Sequence, residues 1–387
     1  MDQILSARIK ARIKNWMFNH ALPFWAQHGV DRLHGGALEE LALDYGPSDP
    51  GFKRVRVTCR QVYVWSHASL LGWEPGLDLA RSHYEVLVKS AWQGNDQGWA
   101  RMLNSDNTVK DANPDLYDTA FCLFAAGWYY RASKDPVALA LALETLTFVE
   151  SHMAHPLGGF YHALPSLGPR IQNPHMHLLE ACLACFEASH HPRFEAVARQ
   201  IVALFQKYFY DPNSQTLGEY FNDDLSLMSG EQGQIVEPGH QLEWAWILAQ
   251  AHRLFGLDVK DEARGLIAFA EKHGVDPISH ATFNAVNLDG SLRDGGSRTW
   301  PNTERVKAAI AGQEILGLHT AAMLEESAGL LLDRYLAVTP YGGWLDAFDG
   351  EGRATAKTIP VSSFYHIFLA FAEILRLDKI TTTDGKS

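Results

Sequence analysis

Six polar side chains recur along the chain at nearly even intervals. Arg60, Asp118, His177, His240, Glu304 and His366 follow one another by 58, 59, 63, 64 and 62 residues. Three of the six are histidines, whose ordinary pKa lies near neutrality, so they can take up and return protons at physiological pH. An arginine in the same set can hold an oxygen on which negative charge develops. Together these types point to acid–base chemistry on a small polar molecule.

Local spacing adds to the set. His240 and Glu243 are three residues apart and share a helix face. Asn173 comes just before the helix that carries His177, and Trp300 lies four residues before Glu304. His366 follows Phe364 and Tyr365. A single histidine on an apolar helix is usually a satisfied core residue. Three at one phase of a repeat, with a glutamate and an arginine in the same layer, would be costly to bury without purpose. Asp118 fits the phase least well, and Asp115 nearby is a candidate helix N-cap.

The elements that must carry these residues are helices. Apolar periodicity predicts twelve, over 5–29, 57–73, 76–92, 114–132, 136–153, 174–189, 192–209, 239–255, 259–273, 301–316, 320–335 and 360–376. Their connections alternate between short and long. Antiparallel neighbours put alternate connections at opposite ends, so all six long ones gather at one end. Most long connections read as glycine and aromatic residues followed by an Asn/Asp/Gly turn, as in Gly98-Trp99-Ala100 and Gly342-Gly343-Trp344, which predicts short β-hairpins. Pro114, Pro174, Pro238, Pro301 and Pro360 mark the starts of five second helices, where a missing N–H costs nothing. A period of about 60 residues repeated six times implies a repeat architecture. We expect an all-α (α/α)6 barrel whose even-numbered helices form the inner ring, with 1–380 as one domain and 381–387 as a polar tail. The six recurrent side chains would then line one polar bowl at the long-loop end.

Composition excludes several classes. The 387 residues carry a formal net charge of −12, which argues against nucleic acid and anionic membrane as partners. Four cysteines are too few for a disulfide scaffold, so reduced thiols and a cytoplasmic location are expected. Cys182-x-x-Cys185 sits in an apolar run and reads as core packing. The first twenty residues hold charges throughout and do not form a signal peptide, and no run of apolar residues is long enough to span a membrane.

Several segments together resemble a known family. They are Thr58-Cys59-Arg60-Gln61, Asn173-Pro174-His175-Met176-His177, Pro238-Gly239-His240-Gln241-Leu242-Glu243-Trp244, Trp300-Pro301-Asn302-Thr303-Glu304 and Phe364-Tyr365-His366. In this order they look like the N-acylglucosamine 2-epimerase superfamily, which includes cellobiose 2-epimerases, mannose isomerases and sulfoquinovose isomerases. The resemblance covers essentially the whole chain, and Pro-Gly-His-x-x-Glu-Trp is its most specific piece. It implies the same (α/α)6 barrel. It implies His240 and His366 as the acid–base pair. It implies Arg60, Asn173, His177 and Glu243 as substrate-orienting or polarising residues, with Trp300 and Glu304 in the pocket.

The expected reaction is isomerisation of an aldose to its 2-ketose, of the D-mannose/D-fructose type, through a cis-enediol(ate). Arg60 with His177 would hold the developing oxyanion, and Glu243 would orient His240 or the substrate hydroxyls. A 2-epimerase of a neutral aldose, N-acylhexosamine or cellobiose-type disaccharide is the alternative. Glycoside hydrolysis needs two opposed carboxylates, where this bowl is rich in histidine. A non-catalytic binding protein is the remaining reading. No metal and no other cofactor is expected, and a monomer or homodimer acting on a small sugar is.

Overall fold

The computed structural model describes residues 5–383. Among them, twelve long helices alternate between an outer and an inner position. The outer helices are α1 (7–28), α3 (Gly76–Ala91), α5 (136–153), α7 (192–209), α9 (Lys260–His273) and α11 (321–335). The inner helices are α2 (Val55–Leu70), α4 (Leu116–Ser133), α6 (Asn173–Ser189), α8 (Pro238–Phe255), α10 (299–316) and α12 (Ser363–Thr383). Each inner helix packs on the next, and α12 returns to α2, so the ring is closed. The twelve helices expected from periodicity are all present, their observed limits shifted by a few residues. The rest of the expected tail, 384–387, lies outside the described residues.

Sequence chemistry sets the helix starts and the short turns. Asp115 accepts a hydrogen bond from the Asp118 N–H at the start of α4, and Asp135 caps α5 ahead of Pro136. The inner helices α4, α6, α8 and α10 each end on a residue in the left-handed region, at Lys134 (φ 58°), His190 (φ 54°), Gly256 (φ 65°) and Gly317 (φ 70°). That conformation stops a helix and reverses the chain within a few residues. The short connections therefore lie at one end, and the long ones at the other.

The long connections form the expected short hairpins, as where Met102–Leu103 pairs with Val109–Asp111 and Ala285–Asn287 with Leu292–Asp294, and further strand pairs join one connection to another. Lys53–Arg54, just before α2, pairs with Met102–Leu103 in the next long connection. Arg170–Ile171, before α6, pairs with Tyr220–Phe221, and Ile235–Val236, before α8, with Ala285–Asn287. Ser297–Arg298, before α10, pairs with Ala347–Phe348. Thr358–Pro360, before α12, pairs with Glu40–Ala42 and closes the circle. Each long loop is thus tied to its neighbour, which fixes the approach to every inner helix.

The inner helices are apolar nearly all round. Leu123, Leu179, Leu242 and Ile367 are fully buried between the two rings. Cys182 and Cys185 are buried thiols in α6 and belong to this core. Among the described residues no helix is long and apolar enough to cross a membrane. Truncating Leu123 to alanine should cost about 2–5 kcal/mol of stability. The same change at Val137, which is 68% exposed, should stay within about 0.5 kcal/mol. Denaturant titration of both variants checks the contrast.

Candidate active site

All six inner helices begin at the long-loop end. A cavity of about 390 Å³ opens there, lined by residues at the starts of those helices, including Arg60, Asn173, His177, His240, Glu243, Trp300 and His366. Helix N-termini carry partial positive charge, so the converging ends favour an oxygen that becomes negative within the cavity.

His240 enters from the first turn of α8. Its Nδ1–H donates to Glu219 Oε2 at 3.0 Å, and Glu237 lies 4.0 Å from the same nitrogen. Gln172 Nε2 also donates to Glu219, at 2.8 Å. Burial alone would lower the histidine pKa, but Glu219, Glu237 and Glu243 outweigh it and raise it to about 10. His240 is therefore a cation at neutral pH.

His366 enters from the first turn of α12. Its Nδ1 lies 2.9 Å from Glu304 Oε1, which leaves Nε2 for the cavity. Burial, then Arg60, Lys307 and His177, hold its pKa well below the ordinary value. His366 is a neutral base. Trp300 stands between the two histidines, its ring 5.1 Å from His240 and 5.8 Å from His366 by centroid.

Arg60 lies across the Phe121 ring at 4.3 Å and donates to the Tyr117 hydroxyl at 2.7 Å. His177 turns Nδ1 to Glu180 at 3.2 Å, and burial lowers its pKa to about 4. Glu180 also accepts from the Tyr365 hydroxyl.

The sequence-derived set is mostly gathered here, with three changes. Asp118 stands apart from the cavity. It is buried and accepts from the Arg56 backbone N–H at 2.9 Å and from its guanidinium at 2.7 Å, so it ties α2 to α4. Glu304 is wholly buried beneath the cavity and acts on His366 rather than lining the wall. Glu243 does line the wall, but no hydrogen bond joins it to His240; Glu219 fills that place. Glu219 comes from the long connection before α8, where Gly218-Glu219-Tyr220-Phe221 reads only as a turn. Gln172 and Lys307 were also missed. Lys307 follows Glu304 by three residues on α10, and that spacing was the available signal.

Among the described residues three groups offer clustered metal-ligating atoms: His177–Glu180–Glu243, Glu219–Glu237–His240 and Glu243–Glu304–His366. In each, most of those atoms are already engaged by a protein donor or cation. An ion at the third group would also have to compete with the Lys307 ammonium, 2.6 Å from Glu304.

Gly239 explains the glycine of Pro-Gly-His. A Cβ there would meet the Trp300 ring at 2.6 Å. Gly239→Ala should therefore displace Trp300 from between the histidines and lower kcat about tenfold or more, with helix content intact by circular dichroism.

Comparison with known proteins agrees with this fold. The family model for N-acylglucosamine 2-epimerase matches residues 36–370. A Rhizobium meliloti protein named mannose-6-phosphate isomerase is 32% identical over 370 residues, covering 94% of this chain and 95% of its own. The cellobiose 2-epimerase of Bacteroides fragilis is 23% identical, covering 91% and 93% of the two chains. The solved cellobiose 2-epimerase of Spirochaeta thermophila superposes with a TM-score of 0.86 at 24% identity, over 97% of this chain and 98% of that one. With most of its length matched by the family model, and a relative 32% identical across nearly all of it, this chain belongs to the N-acylglucosamine 2-epimerase family of carbohydrate isomerases and epimerases.

Proposed function

We propose that this protein interconverts an aldose and its 2-ketose, of the D-mannose/D-fructose type, by histidine-mediated proton transfer. The observation that carries the reading is the pair His240 and His366, which share one cavity in opposite charge states. Groups whose environments push their pKa values apart divide into an acid and a base. His366, neutral, takes the C2 proton and, once protonated, returns it to C1 on the same face of the cis-enediol(ate), which completes the ketose. His240, cationic, protonates the ring oxygen to open the sugar and afterwards serves the oxygens of the enediol(ate). Arg60 and the helix N-termini stabilise the negative oxygen.

Two neighbours take roles that differ from the simplest expectation. His177 donates its Nδ1–H to Glu180, so its free nitrogen accepts a hydrogen bond from a substrate hydroxyl and cannot hold an oxyanion. Asn173 Oδ1 is buried without a partner, while Asn173 Nδ2 lies 3.1 Å from His240 Nε2. Amide orientation is assigned from such networks. Turned over, Asn173 Oδ1 accepts from the protonated His240 ring, and both needs are met.

The cavity favours an uncharged sugar. Arg54 and Arg298 stand in its wall, but each is already engaged, Arg54 by Glu39 and Arg298 by Glu237 at 3.4 Å and Asn284 at 3.0 Å. A phosphate there would have to compete with Glu39 for Arg54 and with Glu237 for Arg298, although a relative carries a sugar phosphate in its name. We take residues 1–380 as one catalytic domain, acting as a monomer or homodimer. We place it in the cytoplasm: the buried Cys59 and Cys122 sulfurs lie 3.6 Å apart, and a reducing compartment keeps both as thiols.

A 2-epimerase is the second reading. A base on one side and a loaded acid on the other could also return the proton to C2 from the opposite face. Incubation with D-mannose in D2O, followed by NMR, separates the two. Fructose as product supports the isomerase; glucose deuterated at C2 with little ketose replaces it with the epimerase. His240→Ala and His366→Ala should each lower kcat about 10²–10⁴-fold.

Two further outcomes follow. D-Mannose should be used with higher kcat/KM than D-mannose 6-phosphate; the reverse order would assign a phosphorylated substrate. The kcat profile should be flat through neutral pH, because His366 stays unprotonated above its lowered pKa. It should fall on the alkaline side near 10, as His240 loses its proton.

A further inference from the structure

At and beneath the cavity floor lies a group of deeply buried charges. Glu180, Glu243 and Glu304 are at most 4% exposed, and Lys307 is wholly buried. Three carboxylates thus share one ammonium. Its position shows which of them it serves. Lys307 Nζ is 2.6 Å from Glu304 Oε2 but 4.0 Å from Glu243 Oε1. Glu180 is satisfied separately, by His177 and the Tyr365 hydroxyl. Glu243 Oε1, Glu304 Oε2 and Lys307 Nζ are all buried without an aligned hydrogen bond, so distance decides between the two carboxylates. The ammonium is therefore committed to Glu304. Its other face is closed by the Trp246 ring at 4.4 Å, so it cannot turn away.

Glu304 is the residue that holds His366. Oε2 takes the ammonium and Oε1 takes the His366 Nδ1–H at 2.9 Å. A carboxylate buried without a cation would take up a proton instead. It could then offer that proton to Nδ1, and Nε2 would carry the hydrogen. The base would be lost, although no atom near the substrate had changed.

We propose that Lys307, which does not line the cavity, is a positioning residue for the proton transfer: it keeps Glu304 an anion, and Glu304 fixes the His366 ring with Nδ1–H inward and Nε2 free for the substrate. The inference rests on His366 being the base. The charged and titratable groups that face His366 are Arg60 from α2, His177 and Glu180 from α6, Glu243 from α8, and Glu304 and Lys307 from α10. Of these, Lys307 is a fixed positive charge that neither lines the cavity nor is needed to bind sugar. Its removal leaves Glu304 to take up a proton, which must leave again before His366 Nε2 can act as a base.

The test is steady-state kinetics of Lys307→Met against pH, beside the wild type, on the sugar that the wild type turns over. The expected result has three parts. At neutral pH kcat falls about hundredfold or more. KM stays within about threefold. The acid limb of the remaining activity moves to higher pH, because Glu304 must now lose a proton before His366 Nε2 is free. If Lys307→Met does not fold, Lys307→Gln keeps a hydrogen-bond donor for Glu304 without the charge and should give the same three results. A kcat within about threefold of the wild type overturns the proposal. A loss that appears equally in KM, or one that leaves the acid limb in place, also overturns it, since an ordinary core ion pair would do no more. A wild type that moves no proton at C2 of any sugar sinks the underlying reading instead, so the two failures are distinct.

Discussion

Everything at the cavity depends on the ring closing between the two ends of the chain. Leu41 pairs with Ile359 in the sheet that joins the first long connection to the last. Close by, the Gln61 amide donates to the Val361 carbonyl at 3.2 Å, and the Arg60 guanidinium reaches the Ser362 carbonyl at 3.5 Å. These contacts bring α2 against the start of α12. Without them Arg60 and His366 would belong to opposite ends of an open solenoid. With them, the group that holds an oxyanion stands beside the group that takes a proton.

Closure also creates the electrostatic problem that the site exploits. Six helix starts and a set of ionisable groups are drawn into one enclosed space. Burial disfavours charge on each of them, and only partners decide which remain ionised. His240 has carboxylates as its neighbours and stays charged. His366 also meets a carboxylate, Glu304, but burial together with Arg60 and Lys307 outweighs it and keeps the ring neutral. The same residue type is thus made into an acid on α8 and a base on α12. Trp300 separates the two rings, and Gly239 leaves the space that Trp300 needs.

The belt of short strands does for the loops what packing does for the helices. Glu219 reaches His240 because Tyr220–Phe221, immediately after it, pairs back to Arg170–Ile171. Gln172 follows that strand and donates to Glu219. The acid is therefore held by two adjoining repeats, and a shift of either strand would be felt at the imidazole.

The sequence by itself determined the helices, their alternation and the phase of the polar residues. These are local properties: apolar periodicity, prolines at helix starts and glycine-rich turns act within a few residues. Histidines repeated at that phase could not all be ordinary core, so the cavity and its chemical character were legible too. What only the tertiary structure decided is which charged group answers which. Glu243 has the right helical spacing to serve His240, yet Glu219 does so from a loop. Asp118 has the right phase for the cavity, yet it turns to Arg56. Glu304 looks like a wall residue, yet it lies beneath one, between His366 and Lys307. Side-chain partnership depends on distances in the folded ring, between residues 21 positions apart for Glu219 and His240 and 62 for both Asp118 with Arg56 and Glu304 with His366, and no local pattern encodes those distances.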